Sequence, residues 1–436
     1  MIARNPGSVI GSCSGTSIAV RSSMRLMGAL LERSTSALVR AVTLVARSGK
    51  ALVQGESPSE DPLETRRKNQ ALEVSGYQAL LGRLVAHVKR DHDAWVAGKR
   101  SRPPTFDFLI VSGGGDLGAF GAGFLRGWGR VTGPLERPRF TAVSGVSTGA
   151  LLAPFAFLGD EDSLALVERV FRNPRPDWFN WRIPFLVRPS FASMAGLERE
   201  VREHMTVSRL ARIAESGKDG RMLIVNTTSL EDGSMRPWDL VAEAERAVRA
   251  GEVERWHRIL LASIAIPGIL PYRMIDGATY VDGGITGNIL YGARLRERQS
   301  HLAAWTAAYP GVPIPATRFW VIFNGQLAGR AEPIARVWPA IVFRSIQIAI
   351  RAATVTSIRH LLAQAEIARL RHRATMEVRV VAIPDEWRRS RLGVFVTQDM
   401  NDLADLGARM GTDPRSWSHD VPDGFEAPEE ELRRAA

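Results

Sequence analysis

This 436-residue sequence predicts an α/β fold, with a mostly parallel sheet covered by helices on both faces, and three observations lead there. Short apolar runs at 106–112, 140–144, 222–228, 318–324 and 377–383 read as buried strands. Stretches of helical length separate these runs. Glycine-rich turns follow the first two runs directly, so strand, turn and helix succeed one another as they do in alternating α/β chains.

Taken in order, residues 1–57 form a basic leader, with seven Lys or Arg against a single Glu over the first 55 positions. Arg33, Arg40 and Arg47 recur every seven residues and share a helix face, beside Leu30, Leu38, Val42 and Val45. A basic amphipathic helix of this kind suits an anionic membrane surface, the other reading of 1–57 being a disordered leader, and a peripheral membrane or cytoplasmic location is expected. Ile10-Gly11-Ser12-Cys13 has the look of a lipoprotein cleavage site, but Pro6 and the lack of an apolar stretch before it argue against lipid attachment. Residues 55–62 read as a linker. A helix or helix pair over 63–97 makes 58–100 a helical extension outside the core, followed by the main domain at 101–420. Within that domain a long helix is expected over 339–372, and residues 421–436 read as an acidic, disordered tail. No run reaches 18 consecutive apolar residues, so no transmembrane span is expected.

Composition narrows the function classes. An apolar content of 45% supports a sizeable core, and the single cysteine, Cys13, excludes an internal disulfide framework. H-E-x-x-H and clustered cysteines are absent from the sequence, so neither a metal nor an organic cofactor is expected, and no nucleic acid partner. The net charge of +11 lies mainly in the leader and in residues 330–391, where twelve Arg face five acids, and not around the motifs described next.

Three motifs carry the chemistry: Gly113-Gly114-Gly115-Asp116-Leu117-Gly118, Gly145-Val146-Ser147-Thr148-Gly149 and Asp282-Gly283-Gly284. The first joins a strand to a helix, which leaves unpaired backbone N–H groups at a helix N-terminus where a negative charge is favoured, so it can hold an oxyanion. Gly113, Gly115 and Gly118 also fit the dinucleotide fingerprint G-x-G-x-x-G. That fingerprint wants an acid at the end of the next strand, whereas Glu136 precedes the strand, which runs straight into Gly-x-Ser-x-Gly. In the second motif the flanking glycines permit the sharp bend that exposes the Ser147 hydroxyl as a nucleophile. By itself Asp282-Gly283-Gly284 reads as a turn. Chain order alone also admits a Ser–Asp–His triad using His301, His360, His372 or His419, but their charged, polar surroundings make them look like solvated surface histidines.

Together the motifs resemble the patatin-like phospholipase family, in a bacterial-looking subgroup. The resemblance extends through residues 118–125 and 150–155, Ala262-Ser263-Ile264-Ala265-Ile266-Pro267, Tyr280-Val281-Asp282 and Asn288, and covers roughly residues 105–420. It implies a patatin-like three-layer fold and a Ser–Asp dyad. Ser147 would attack an ester carbonyl, Asp282 would take its proton, and Gly113, Gly114, Gly115 and Thr148 would supply the oxyanion hole through their backbone N–H groups. The implied substrate is a lipid carboxylic ester, a glycerophospholipid or a related lipid. One departure stands out: the family's Arg or Lys before the last glycine of the first motif is Leu117 here, preceded by Asp116. A carboxylate beside an anion hole opposes the developing charge, so Asp116 is expected to cap the following helix. The same departure keeps open a second reading, a catalytically weak family member that serves as a lipid- or membrane-binding scaffold. Finally, 178–186, starting Trp178-Phe179-Asn180-Trp181, is unusually aromatic; burial against the core is favoured over a role covering an acyl site.

Overall fold

The computed structural model describes residues 62–181, 190, 192–291, 300–329, 334–372, 374–391 and 393–421. The leader, its arginine helix, the Cys13 motif, the charged run 294–298 and nearly all of the acidic tail lie outside the described residues, as does all of 182–189.

The chain alternates strand and helix because apolar β-rich runs are cut by glycine turns and amphipathic stretches. Helix α1 (Pro62–Val96) leads into β1 (Thr105–Val111), α2 (Gly118–Trp128), β2 (Ala142–Val146), α3 (Thr148–Leu158) and α4 (Glu161–Arg172). The two-residue strands β3 (Asn180–Trp181) and β4 (Ala192–Ser193) then pair with each other, ahead of α5 (Ala195–His204) and α6 (Val207–Gly217). Next come β5 (Met222–Ser229), β6 (Met235–Asp239), α7 (Leu240–Ala250), α8 (Val253–Ser263), β7 (Arg273–Ile275) and β8 (Ala278–Asp282). The chain continues with α9 (His301–Ala308), β9 (Ala316–Phe323), α10 (Trp338–His372), β10 (Met376–Ala382) and α11 (Thr397–Thr412).

Eight strands form one sheet in the order β10-β9-β1-β2-β5-β8-β7, with β6 paired to β5. The five strands β10, β9, β1, β2 and β5 are parallel, and β6, β7 and β8 enter antiparallel. Each of the five expected strands is present, shifted by at most two residues. The antiparallel part went unread because its strands are short and their pairing is set by distant partners.

Helices cover both faces. On one side α2, α3, α8 and α11 close a core around Phe120, Phe124, Trp128, Trp256 and Trp320. On the other, Val355, Ile358, Leu361 and Ala365 of α10 pack on Phe319 and Val321 of β9 and on Val378 and Val380 of β10. Helix α1 is not outside the core as its position in the chain suggested. Leu81, Leu84, Val85 and Val88, spaced at helical intervals, share a cluster with Phe106, Met222 and Trp305.

Helix α10 divides in two. From Thr354 onward it buries a residue at every third or fourth position, while its first turns, up to Ala353, bury none among the described side chains. By length and composition Ala340–Arg371 could cross a membrane, although no run of 18 consecutive apolar residues exists, and 17% of its most apolar stretch is buried inside the molecule. Spanning would strip Val355, Ile358 and Leu361 from β9 and β10, so α10 is a surface helix anchored at its C-terminal half.

Candidate active site

Ser147 stands at the end of β2, directly before α3, with φ 53° and ψ −126°, the strained turn that lifts a side chain above a parallel sheet. Its neighbours must be glycine. A Cβ on Gly149 would lie 2.2 Å from the Val111 carbonyl oxygen, and one on Gly145 would lie 2.3 Å from that of Gly149. The Ser147 N–H donates to Ser263 Oγ (3.0 Å), which in turn donates to the Asn226 carbonyl (2.7 Å).

Asp282 arrives from the antiparallel side, at the end of β8, where it pairs with Thr227 of β5. Its backbone is tied down by Asp282 N–H to the Ala265 carbonyl (2.9 Å) and by Thr228 Oγ1 to its own carbonyl (2.9 Å). Asn226 Nδ2 secures the turn behind it by donating to the carbonyls of Gly283 (2.9 Å) and Gly287 (3.2 Å). The Asp282 carboxylate accepts from the Gly284 N–H at 2.7 Å, and the Ser147 hydroxyl is near enough to favour its charged form. Both side chains are buried, Ser147 at 7% exposure and Asp282 at 3%. Burial is the dominant influence on the carboxyl and raises its pKa from 3.8 to about 6, against the opposing pull of the Ser147 hydroxyl and the Gly284 N–H.

The glycine turn after β1 lies against the elbow. A Cβ on Gly113 would meet Ser147 Cβ at 2.8 Å. Asn324 pins the turn through Nδ2 to the Ser112 carbonyl (2.9 Å), and its Oδ1 accepts from the Gly121 N–H (3.0 Å). Gly113 is no free donor: its N–H goes to Asn288 Oδ1 (2.9 Å), and Asn288 Nδ2 donates to Thr354 Oγ1 on α10 (3.0 Å). Among the described residues the N–H groups of Gly114, Gly115 and Thr148 donate to no protein acceptor, Thr148 because it opens a helix.

Asp116 does not cap the helix. Its carboxylate takes a two-pronged contact from Arg389 (2.6 and 2.9 Å) and a third bond from the Phe395 N–H (2.9 Å), so its charge is met by a cation and not aimed at the turn. Leu117 packs against the main core. Phe395 stacks on Phe179, and Trp178 is buried with its indole N–H on Glu200, so the described start of the aromatic segment is core packing.

Among the described side chains, no histidine contacts the pair. His301 is not a solvated surface group: its ring sits among Phe106, Phe108 and Phe319 and bonds to Thr317, and burial pushes its pKa down to about 3. His360 bonds to Tyr291, and His419 to the Val378 carbonyl and Arg379. The side chain of His372 is outside the described residues. Among the described residues no group of three His, Cys, Asp or Glu could hold a metal ion.

Asn226, Thr228, Asn324 and Arg389, which hold the two arms together, were not singled out from the sequence. Each acts across a long chain separation, and none stands in a motif that marks it.

Residues 109–293 match the family model Patatin-like phospholipase, and the chain carries a patatin-like phospholipase domain with the corresponding α/β fold. No curated protein matches the chain. Among solved structures it is similar to VipD from Legionella pneumophila, at 12% identity over 72% of this chain and 67% of that one, with a TM-score of 0.31.

Proposed function

We propose that this protein is a serine acyl hydrolase that cleaves carboxylic ester bonds of glycerophospholipids or related lipids, with Ser147 as nucleophile and Asp282 as its base. The family supports lipid hydrolysis in general. The observation that carries the finer reading is a buried Asp282 carboxylate, its pKa raised to about 6 by burial, that feels the Ser147 hydroxyl beside it. A carboxylate at its ordinary pKa is a weak base for a serine hydroxyl, and desolvation makes it a stronger one while leaving it ionised at neutral pH.

On this reading Ser147 Oγ attacks the ester carbonyl as its proton passes to Asp282. The tetrahedral oxyanion is held by the N–H groups of Gly114, Gly115 and Thr148; Gly113, committed to Asn288, serves to position the turn. Collapse expels the alcohol, which takes the proton back from Asp282 and leaves an acyl ester on Ser147. Water then gives a proton to Asp282, attacks the acyl carbon and releases the fatty acid, restoring the Ser147 hydroxyl.

The scaffold alternative drew on Asp116 and Leu117. With Asp116 neutralised by Arg389 and Leu117 packed against the core, neither opposes an anion at the turn. The test is labelling with a fluorophosphonate probe, together with identification of fatty acid and lysolipid released from a total lipid extract. Wild type should be labelled and release both products, and Ser147→Ala should do neither. An unlabelled wild-type protein would return the reading to the scaffold. Because the base must be ionised, the rate should fall about tenfold per pH unit below about 6.

A further inference from the structure

The first turns of α10, up to Ala353, bury none of their described side chains and present an unusual surface. Ile334, Val337, Trp338, Ile341, Val342 and Ile348 are each between 43% and 57% exposed, and no residue from Ala340 to Ala353 is buried. The helical part of this segment, twelve residues up to Ala349, is about 18 Å long. Solvated surface helices normally carry charge on such positions; an apolar face of this length marks a binding surface.

Two further observations say what covers it. Across residues 333–365 the chain has Arg336, Arg344, Arg351 and Arg359 and no Asp or Glu, so the charges accompanying the apolar face are all positive. The same helix adjoins the catalytic turn through its other, inward side. A Cβ on Gly284 would be 3.8 Å from Ile350 Cδ1, Thr354 is bonded to Asn288, and Ile285, the third residue after Asp282, is itself 44% exposed. Apolar side chains, an aromatic ring at one end and arginines in a stretch of chain that contains no Asp or Glu form the chemistry of a helix lying in the headgroup region of an anionic bilayer.

We infer that the first half of α10, with Ile285, is the surface by which the protein docks onto an anionic lipid bilayer, bringing the Ser147–Asp282 site to the interface. This rests on the lipid-ester reading above and adds where the lipid surface is met. The second half of α10, buried against β9 and β10, keeps the docking face fixed to the sheet. Entry of substrate from the bilayer then requires no passage of a free lipid through water.

The experiment uses full-length protein carrying Ser147→Ala, so that binding is read without hydrolysis. It is sedimented with vesicles of phosphatidylcholine containing phosphatidylglycerol, with and without the pair Ile341→Glu and Ile348→Glu. Both positions are exposed, so the fold should survive, and an unchanged urea midpoint verifies this. The paired variant should bind vesicles about tenfold more weakly or worse. In the Ser147 background it should lose hydrolysis of vesicle phospholipid while keeping that of a soluble short-chain ester. Unchanged vesicle binding overturns the inference. So does a variant that turns a dimer into a monomer with vesicle binding intact, since the face then meets a second copy. So does loss of vesicle binding only on removal of residues 1–61. If the wild type hydrolyses no ester at all yet the paired variant still loses vesicle binding, the catalytic reading fails and the docking surface stands.

Discussion

Ser147 is positioned by its immediate neighbours, whereas Asp282 is positioned by residues far along the chain. Two glycines, Gly145 and Gly149, and one strained φ set the bend at the nucleophile, with a single distant hydrogen bond from its N–H to Ser263. The acid depends on Thr228, 54 residues away, on Asn226 behind Gly283, and on a hairpin that runs against the parallel strands. A local device is either intact or broken. A distributed one yields by degrees, and substitutions in the two arms should differ in that way.

The largest effects belong to the pair itself. Ser147→Ala and Asp282→Asn should each lower ester hydrolysis on the order of 10⁴-fold, and the double variant should be no worse than the poorer single, because the two act as one unit. Multiplying losses in that cycle would mean that Asp282 acts on something other than Ser147.

Gly149→Ala tests the brittle arm. Its Cβ has nowhere to go but onto the Val111 and Ser112 carbonyls, at 2.2 and 2.6 Å. A loss of about 3 kcal/mol in urea unfolding is expected, with activity abolished in whatever remains folded. Retention of both stability and activity would show that the elbow relaxes more easily than its contacts allow.

Asp282→Asn should also raise stability at alkaline pH. Burial lifts the folded-state pKa from 3.8 to about 6, so ionisation opposes folding, fully above about pH 6 and not at all below about pH 4. The asparagine variant should therefore be on the order of 3 kcal/mol more stable than wild type at pH 8, with the gap closing as pH falls to 4. A constant gap across that range would remove the carboxyl from its dry setting.

A long-range tie of the glycine turn is tested by Asn288→Ala, which frees the buried Gly113 N–H and parts the turn from α10. An unsatisfied buried donor costs about 1–3 kcal/mol, and a loss of activity of about tenfold is expected, well short of that for Ser147→Ala. At the small end, His360→Ala and His419→Ala should leave kcat/KM within about twofold of wild type, since neither ring touches the pair.

The same contrast explains what could be read in the sequence. The five parallel strands, the glycine turn and the serine elbow are written in adjacent residues, and they stand within two positions of where their patterns put them. Asp282 came from resemblance, since an Asp-Gly-Gly turn has no local mark of a base, and its strand direction depends on β5. His301 was misread because the charged run before it suggested solvent, while the groups that enclose it, Phe106, Phe108 and Phe319, come from other strands. Helix α1 did carry a signal, an apolar stripe at residues 81, 84, 85 and 88, outweighed by the linker before it. For Asp116 the local rule suggested a cap, and a guanidinium 273 residues away decided otherwise.

That last contact sets a limit on how the chain can be divided. The matched segment ends at residue 293, yet β1 is seated between β2 and β9, and Arg389 reaches back to Asp116 beside the glycine turn. A fragment cut at the family boundary would leave a bare edge along β1 and strand the Asp116 carboxylate, 3% exposed, without its countercharge. The smallest heritable unit of this hydrolase is therefore longer than its signature, and gene fusions or truncations would have to respect residue 395 and not residue 293.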